Sequence, residues 1–389
     1  MAANASRPRA ARGQTHVGID GEAWLINGVP TYRGREYRGW PIEGLLLNSR
    51  MANAVFDDAN PATRFLWRYP DTERWDADRN TDEFVRALPL YREHGLVAVT
   101  VNLQGGAPFG YYREDPFRQL LADRRVAYTD AEMWRGLPGP ASQPWHNSPF
   151  AADGALAREA GSHLARLSRI LQRADELGMV VVLGIFYFGQ DERLRDEAAV
   201  RRAVEETCGW VLQEGWRNVV IEVNNECDVP RYEHEILQPH RVHELIALAR
   251  RVRHGGDRLL AGTSYRGRSI PGDAVCGASD FLLLHGNGVT EPDRIAAMVD
   301  RTRAQPSYGG EPIAFTEDDH FAFDRPHNNF TAALSRHAGW GYFDPGPGAG
   351  GGLSAGNYAD GYQNVPVNWA INTPRKRAFF NLLRQTTGA

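Results

Sequence analysis

The feature that most constrains this chain is the alternation of short apolar segments with longer segments of helical period. Eight apolar segments have the length of β-strands, and several are continuously hydrophobic, as is typical of parallel strands covered on both faces. Alternating strands and helices favour a parallel sheet. The eight segments are residues 44–48, 96–102, 179–188, 218–225, 258–264, 280–286, 312–317 and 340–344.

The segments between the strands show the pattern of amphipathic helices. Apolar residues recur at helical spacing from Leu164 to Leu177, and again from Val242 to Val252. Gly178, after the first of these stripes, is a typical helix stop. Eight strands with intervening helices predict a single (β/α)₈ TIM barrel of the α/β class. An open, doubly wound sheet is the alternative, but no G-x-G-x-x-G follows the first strand, which disfavours a dinucleotide site.

Three regions lie outside this repeat. Residues 1–16 are polar and arginine-rich, and we expect them to form a disordered tail. Asn27-Gly28 joins two short apolar runs, which indicates a β-hairpin, and we expect this hairpin to cover the N-terminal face of the barrel. Residues 17–389 are then predicted to form one catalytic barrel domain.

The third region, residues 103–154, is a long insertion with little periodicity. A loop of this length in a compact domain is usually functional. It follows the second strand, so it starts on the C-terminal face, where barrel enzymes keep their active sites. We expect it to border that site through its aromatic residues, which include Tyr111, Tyr112, Trp134 and Trp145.

Charge and composition narrow the classes of partner. A net charge of −4 over 389 residues gives no basic surface of the kind that binds nucleic acid or an anionic membrane, so we expect neither partner. The N-terminus lacks the apolar core of a secretory signal, and no apolar run is long enough to span a membrane. Three cysteines are too few for a disulfide framework. Together these features predict a cytoplasmic protein.

Two glutamates stand at strand ends, where barrel enzymes place catalytic groups. Glu226 follows the fourth predicted strand, and Glu317 closes the seventh. Paired carboxylates suit the hydrolysis of glycosidic bonds, because one must protonate the leaving oxygen while the other attacks or stabilises the positively charged sugar. The pair therefore predicts a glycoside hydrolase whose partner is a small glycoside or oligosaccharide.

These residues resemble the signature of clan A glycoside hydrolases, with glycoside hydrolase family 5 and other cellulase-like enzymes as the nearest comparison. The resemblance rests on Asn225-Glu226 after the fourth strand, paired with Glu317 at the end of the seventh. It implies that Glu226 is the general acid/base and that Asn225 binds the sugar 2-hydroxyl. It also implies that Glu317 is the nucleophile of a retaining mechanism.

The same resemblance implies contacts around the catalytic pair. His285, at the end of the sixth strand, is expected to contact the nucleophile. Trp340 or Trp369 is expected to form the floor of a sugar subsite by stacking on the sugar ring. The chain departs from the family at Cys227, where a proline often follows Asn-Glu, and in the acidic run that begins at Glu317. No subfamily matches, so the substrate does not carry over.

Three further residues stand at or just past the ends of the first three strands. Arg50, Asn102 and Tyr187 are expected to bind sugar hydroxyls, with packing inside the protein as the alternative. The role of Glu222 stays open.

A metal site is a further possibility, built from residues that follow the seventh strand. Solvated loop charges are the favoured interpretation of this cluster, so we predict no metal and no cofactor. The cluster consists of Asp318, Asp319 and His320, with His285 nearby.

The predicted activity is retaining hydrolysis of O-glycosides, exo-acting on a short glycoside or oligosaccharide. Retention requires the two carboxyl groups to lie about 5–5.5 Å apart. The alternatives are a carbohydrate-binding barrel without hydrolase activity and a metal-dependent barrel hydrolase.

Overall fold

The chain begins with a small antiparallel sheet around the predicted hairpin. The computed structural model describes residues 13–61, 63–106, 143, 145–346, 358 and 361–389. Asn27 and Gly28 have φ angles of 54° and 74°, the positive values that a type I′ turn needs at both central positions. The strands are β1 (Val17–Asp20), β2 (Ala23–Ile26) and β3 (Val29–Pro30), followed by a second hairpin of β4 (Glu36–Tyr37) and β5 (Trp40–Pro41).

Eight parallel strands then build a barrel, and each overlaps one of the predicted segments. Strands β10, β9, β8, β7, β6 and β13 are hydrogen-bonded in that order, and β11 pairs with β12. Parallel bridges from Ser264 to Leu283 and from Ala314 to Gly339 join the two groups into a closed ring. The predicted (β/α)₈ barrel is confirmed. Its strands are β6 (Asn48–Arg50), β7 (Ala98–Asn102), β8 (Val180–Phe186), β9 (Val219–Asn224), β10 (Leu260–Gly262), β11 (Leu282–His285), β12 (Ile313–Glu317) and β13 (Gly341–Tyr342).

An α-helix follows each barrel strand within the described ranges. The apolar stripe that begins at Leu164 is buried against the barrel, and Gly178 has the positive φ of a helix stop, 65°. None of the helices in these ranges is long and apolar enough to cross a membrane. The helices are α1 (Ala77–Glu93), α2 (His163–Glu176), α3 (Glu197–Gln213), α4 (Val242–Arg251), α5 (Asp273–Ala278), α6 (Pro292–Arg303), α7 (Asn329–Leu334) and α8 (Pro374–Thr387).

The N-terminal sheet closes the bottom of the barrel, as the sequence predicted. Trp24 of β2 is 1% exposed and packs at 5.1 Å, ring centroid to ring centroid, against Phe281. It belongs to one apolar cluster with inward side chains of the barrel strands, among them Val180, Val220 and Leu283. The lower lumen is therefore filled by apolar side chains.

Part of the predicted tail belongs to this fold. Thr15 is buried, and its backbone N–H and hydroxyl donate to the side chain and the backbone carbonyl of Asp175 in α2 at 2.8 Å and 2.6 Å. The boundary predicted at residue 16 is therefore wrong, because these polar groups bond to a helix end instead of to solvent. Residues 1–12 lie outside the described ranges.

Candidate active site

Three polar side chains meet at the C-terminal face of the barrel. Glu226 follows β9, His285 ends β11 and Glu317 ends β12. One carboxylate oxygen of each glutamate and one ring nitrogen of His285 all lie within 4.8 Å of one another. Residues that are distant in the chain, such as Glu226 and His285 at 59 positions apart, are thus brought together, because parallel barrel strands deliver their carboxyl ends to one rim.

A β-bulge turns Glu317 into the barrel. Ala314 packs inside the lumen, and strict alternation would place Glu317, three residues later, on the outer face. Leu284 of β11 pairs with Phe315 of β12, but the next residue, His285, pairs with Glu317. Thr316 is therefore the extra residue of β12 at the bulge. Bulges re-aim side chains in this way, often beside active sites. Glu317 therefore faces the lumen, and the next residue, Asp318, faces α7.

Arg50 is the cation at the centre of the site. It is 1% exposed, and its Nε lies 2.6 Å from Glu317 Oε2. Its guanidinium also donates to Asn225 Oδ1 at 2.5 Å and lies 3.5 Å from Glu222 Oε2. Burial opposes the charge of Arg50, but Glu317, Glu222, Tyr187 and Glu226 together raise its pKa. Arg50 is therefore a permanent positive charge that orients the nucleophile predicted at Glu317.

His285 links the two glutamates. Its Nδ1 lies 2.9 Å from Glu226 Oε1 and 3.7 Å from Glu317 Oε2. The ring is fully buried, and its Nε2 has no hydrogen-bond partner among the described residues. Burial lowers the pKa of His285, but the charge of Glu317 and the hydrogen bond and charge of Glu226 outweigh it, so the net direction is upward.

Glu317 is the more deeply buried of the two glutamates. Its side chain is 8% exposed, against 14% for Glu226. Burial raises the pKa of Glu317, and the charges of Arg50 and His285 oppose that rise. The two carboxyl groups thus sit in different surroundings, which is the arrangement that lets a carboxyl pair divide into an acid and a nucleophile.

The backbone around Glu226 is held in an uncommon conformation. Glu226 has a φ of 50°, in the left-handed region that L-residues other than glycine, Asn and Asp seldom adopt. Its backbone N–H donates to Ser264 Oγ at 2.9 Å, and the carbonyl of Asn225 accepts from the Tyr232 hydroxyl at 2.5 Å. These contacts fix the turn that points the Glu226 side chain at His285.

Two predicted aromatic platforms do not face the site. Trp340 is 0% exposed and donates from Nε1 to Asp318 Oδ2 at 2.9 Å, with its ring against Phe330 of α7. Trp369 is 1% exposed and donates to the carbonyl of Asn80 in α1 at 2.9 Å. The subsite role predicted for both does not agree with these positions, because the Trp340 ring packs on α7 and the Trp369 ring packs at 4.8 Å on Phe84 of α1.

The remaining predicted residues differ in their surroundings. Asn102 is 1% exposed, pairs in register with Gly184, and has an amide without a hydrogen-bond partner among the described residues. Tyr187 follows β8 with its ring 4.3 Å from that of Phe188. Trp145 of the insertion is buried against Trp67, and the other predicted insertion aromatics lie outside the described residues.

The acidic run after Glu317 does not form a second cluster within the described ranges. Asp318 accepts hydrogen bonds from Trp340 and Asn329 on the outer side of the barrel. Asp319 accepts from the backbone of Gly288 at 2.9 Å. The metal site that was considered as an alternative for this run is therefore not assembled among the described residues. Asp318 instead braces β12 against α7.

The cluster at the barrel mouth fits a metal ion poorly. Glu226, His285 and Glu317 have the donor types that bind transition metals. However, both oxygens of Glu317 are already bonded, Oε2 to the Arg50 guanidinium and Oε1 to the Asn287 amide, each at 2.6 Å. A fixed positive charge at that distance repels a divalent ion, so the chemistry of the site is that of paired carboxylates.

Some residues of the site were not predicted from the sequence. Asn287 donates from Nδ2 to Glu317 Oε1 at 2.6 Å, and Ser264 and Tyr232 hold the turn at Glu226. Asn287 stands two residues past the end of β11, in the same position after its strand as Glu226 after β9. Inspecting the second residue after each strand would have found it.

Comparison with known proteins identifies the fold. No protein-family model matches the sequence, and neither does any curated protein. A glycoside hydrolase of family 5 from Bacteroides vulgatus has a TM-score of 0.52 at 12% identity, over 96% of this chain and 70% of that one. A β-glucosidase from Thermotoga maritima has a TM-score of 0.51 at 11% identity, over 90% and 99%. A broad-specificity GH5-4 endoglucanase from Bacteroides salanitronis has a TM-score of 0.50 at 11% identity, over 88% and 93%. The chain therefore shares the (β/α)₈ barrel fold of these glycoside hydrolases.

Proposed function

We propose that this protein is a retaining O-glycoside hydrolase in which Glu317 is the nucleophile and Glu226 the general acid/base. The observation that carries the proposal is the approach of the two carboxylates to within 4.8 Å, oxygen to oxygen, at the open face of the barrel. Retaining enzymes keep their carboxyl groups about 5–5.5 Å apart, whereas inverting enzymes need about 6.5–9.5 Å to admit a water molecule. The short separation supports retention.

The nucleophile must stay ionised inside the protein. The Glu317 side chain is buried, and burial alone would favour its neutral form. Arg50 supplies the opposite charge at 2.6 Å from Oε2, and Asn287 donates to Oε1. In the first step Glu317 attacks the anomeric carbon, the bond from that carbon to the leaving oxygen breaks, and the leaving oxygen takes the proton of Glu226.

The acid/base must exchange protons with water during one turnover. Glu226 is the more exposed of the pair, and His285 holds its Oε1 at 2.9 Å. In the second step Glu226 removes a proton from a water molecule, the water oxygen bonds to the anomeric carbon, and the bond from sugar to Glu317 breaks. Asn225, whose Oδ1 is held by Arg50, is the residue we assign to the sugar 2-hydroxyl.

The finer proposal is exo action on a short glycoside or oligosaccharide. It is supported by the insertion 103–154, which begins directly after β7 on the catalytic face. The structures that share the fold include both a β-glucosidase and an endoglucanase, so they do not distinguish exo from endo action. The proposal of exo action therefore rests on the insertion. With an oligosaccharide labelled at its reducing end, exo action releases only single sugars from the other end. Early internal cleavage would contradict it.

The proposed compartment is the cytoplasm. Cys208, Cys227 and Cys276 are all buried free thiols, which suits a reducing environment. Fractionation of the native cells should recover the protein with cytoplasmic markers, and recovery from the medium would contradict the proposal.

The test of the function is turnover of a panel of aryl glycosides that covers the common sugars in both anomeric forms. Wild type should release the aryl group from at least one member, and Glu317→Gln should lower kcat/KM by a factor of about 10³ or more because the covalent step is lost. Glu235→Gln is the matched control, since Glu235 is exposed and pairs with His240 outside the cluster of Glu226, His285 and Glu317. Binding of a glycoside without turnover would favour a carbohydrate-binding barrel, and loss of activity with a chelator would favour a metal-dependent hydrolase.

A further inference from the structure

We propose that Asn287 is a positioning residue that fixes the orientation of the attacking carboxylate of Glu317. One carboxylate oxygen is then held by the neutral Asn287 amide and the other by the charged Arg50 guanidinium. The inference rests on the proposed function and assigns a role to a residue outside the predicted site. Asn287 Nδ2 donates to Glu317 Oε1 at 2.6 Å. Arg50 Nε contacts the other oxygen, Oε2, at the same distance.

The two donors differ in what they do. Arg50 carries the charge that keeps Glu317 ionised, whereas an amide is neutral and cannot lose its proton at any working pH. A carboxylate held only at Oε2 remains free to rotate about its last side-chain bond. The Asn287 amide removes that freedom and sets the plane of the carboxylate, which decides whether an oxygen lone pair points at the anomeric carbon.

The backbone of Asn287 is itself fixed from two sides. Gly286 N donates to the carbonyl of Glu317 at 2.7 Å, and Gly288 N donates to Asp319 Oδ1 at 2.9 Å. The loop is therefore tied to the end of β12 on both sides of Asn287. In addition, the carbonyl of Asn287 packs so closely against Gly267 that a Cβ at position 267 would clash with it. The amide is thus presented to Glu317 from a rigid support.

The groups that face Glu317 allow the role of Asn287 to be measured by titration. These groups are Arg50 from β6, Glu226 after β9, and His285 and Asn287 from the end of β11. Loss of a hydrogen bond to the ionised form raises a carboxyl pKa, and a new negative charge at the same place raises it further. Asn287→Ala and Asn287→Asp should therefore move the pKa of Glu317 upward in that order.

The kinetic test uses the aryl glycoside that the wild type hydrolyses fastest. Asn287→Ala should lower kcat about 10- to 100-fold, the range expected for loss of a hydrogen bond to a charged group, with little change in KM. The acidic limb of the pH–rate profile should move to higher pH, and further for Asn287→Asp. Asn287→Gln retains the amide donor and should recover part of the rate. The matched control is Asn368→Asp, because Asn368 accepts from Ala370 N through Oδ1, which aspartate retains.

A second measurement separates this inference from the proposed function. The Glu317 carboxyl is titrated by ¹³C NMR in protein labelled at the glutamate side chains, with its signal assigned by its loss in Glu317→Gln. An upward shift of the Glu317 pKa in both Asn287 variants supports the coupling, even if no glycoside is turned over and the proposed function fails. An active wild type whose Asn287 variants keep both the pH profile and the Glu317 titration unchanged would overturn the inference. Thermal unfolding of each variant excludes a simple loss of folding.

Discussion

Replacing Arg50 with methionine tests whether this residue neutralises the buried carboxylates. Methionine keeps most of the aliphatic volume but removes the charge and every hydrogen bond. Glu317 then loses its contact at 2.6 Å, and Glu222, which is 0% exposed, loses its neighbour at 3.5 Å. Two carboxylates remain in the lumen without a cation between them.

The size of the effect follows from burial and distance. At the 2.6 Å of the Arg50–Glu317 contact and an effective dielectric constant of about 20, opposite unit charges attract by roughly 6 kcal/mol. Desolvation of the guanidinium cancels part of that attraction. Removing one partner of a buried pair costs about 3–5 kcal/mol, and we expect Arg50→Met to lower the free energy of unfolding by that amount at neutral pH.

The loss of stability caused by Arg50→Met should increase with pH. Without Arg50 the pKa of Glu317, which burial already raises, rises further in the folded state. Below about pH 4 glutamates are protonated in both states, so this part of the cost disappears. As the pH increases, the unfolded chain releases the proton while the folded variant retains it. The stability of the variant relative to wild type therefore falls as the pH rises through the raised pKa.

Urea unfolding followed by tryptophan fluorescence, at pH 5 and pH 8, measures both effects. Arg336→Met is the matched control, because Arg336 pairs with Asp300 at an exposed site, where an ion pair contributes about 0–1 kcal/mol. The reasoning is refuted if Arg50→Met costs no more than Arg336→Met, or if its cost is equal at the two pH values.

Three further predictions concern single residues. Glu226→Gln should slow hydrolysis of a methyl glycoside far more than it slows release of dinitrophenol from the matching aryl glycoside, because dinitrophenol is a good leaving group that needs no proton. Equal losses of rate on the two substrates would contradict the acid role of Glu226. Burial raises the pKa of Asp318 to about 8, so the folded state keeps a proton that the unfolded state loses above about pH 4. Stability should fall between these pH values, and Asp318→Asn, which cannot titrate, should flatten the urea-unfolding profile; an unchanged slope would contradict this. Trp340→Phe should lower thermal stability and leave KM unchanged, since Trp340 is 0% exposed and donates a hydrogen bond to Asp318. A raised KM would indicate that Trp340 contacts the substrate after all.

The strand pattern was sufficient to predict the barrel and the rim at which Glu226 and Glu317 meet. Continuous apolar runs can be read because parallel strands are buried on both faces, and their ends share one rim by topology alone. Glu226 and Glu317 were found by this rule, without any knowledge of side-chain direction. The same rule found Arg50 and His285, which end β6 and β11.

What the pattern did not reveal depends on local geometry. Strict alternation from Ala314 would have turned Glu317 outward, and the bulge at Thr316 that corrects it has no signal in the sequence. Trp340 precedes β13 instead of following it, so it lies away from the open rim and packs against α7. Asn287 lies in the loop just past the predicted strand 280–286, so inspecting only the strand ends missed it.

The most direct measurement of the mechanism is to trap the covalent intermediate. The protein is incubated with a 2-deoxy-2-fluoro derivative of the glycoside it hydrolyses fastest, carrying a dinitrophenyl leaving group, and the digest is mapped by mass spectrometry. The fluorine slows both steps, and the good leaving group restores the first, so the glycosyl enzyme accumulates. We expect one sugar per chain, attached to Glu317, and no label on Glu317→Gln. A label on Glu226, or sustained turnover of the parent glycoside with no trapped sugar on any residue, would contradict the assignment of Glu317 as the nucleophile.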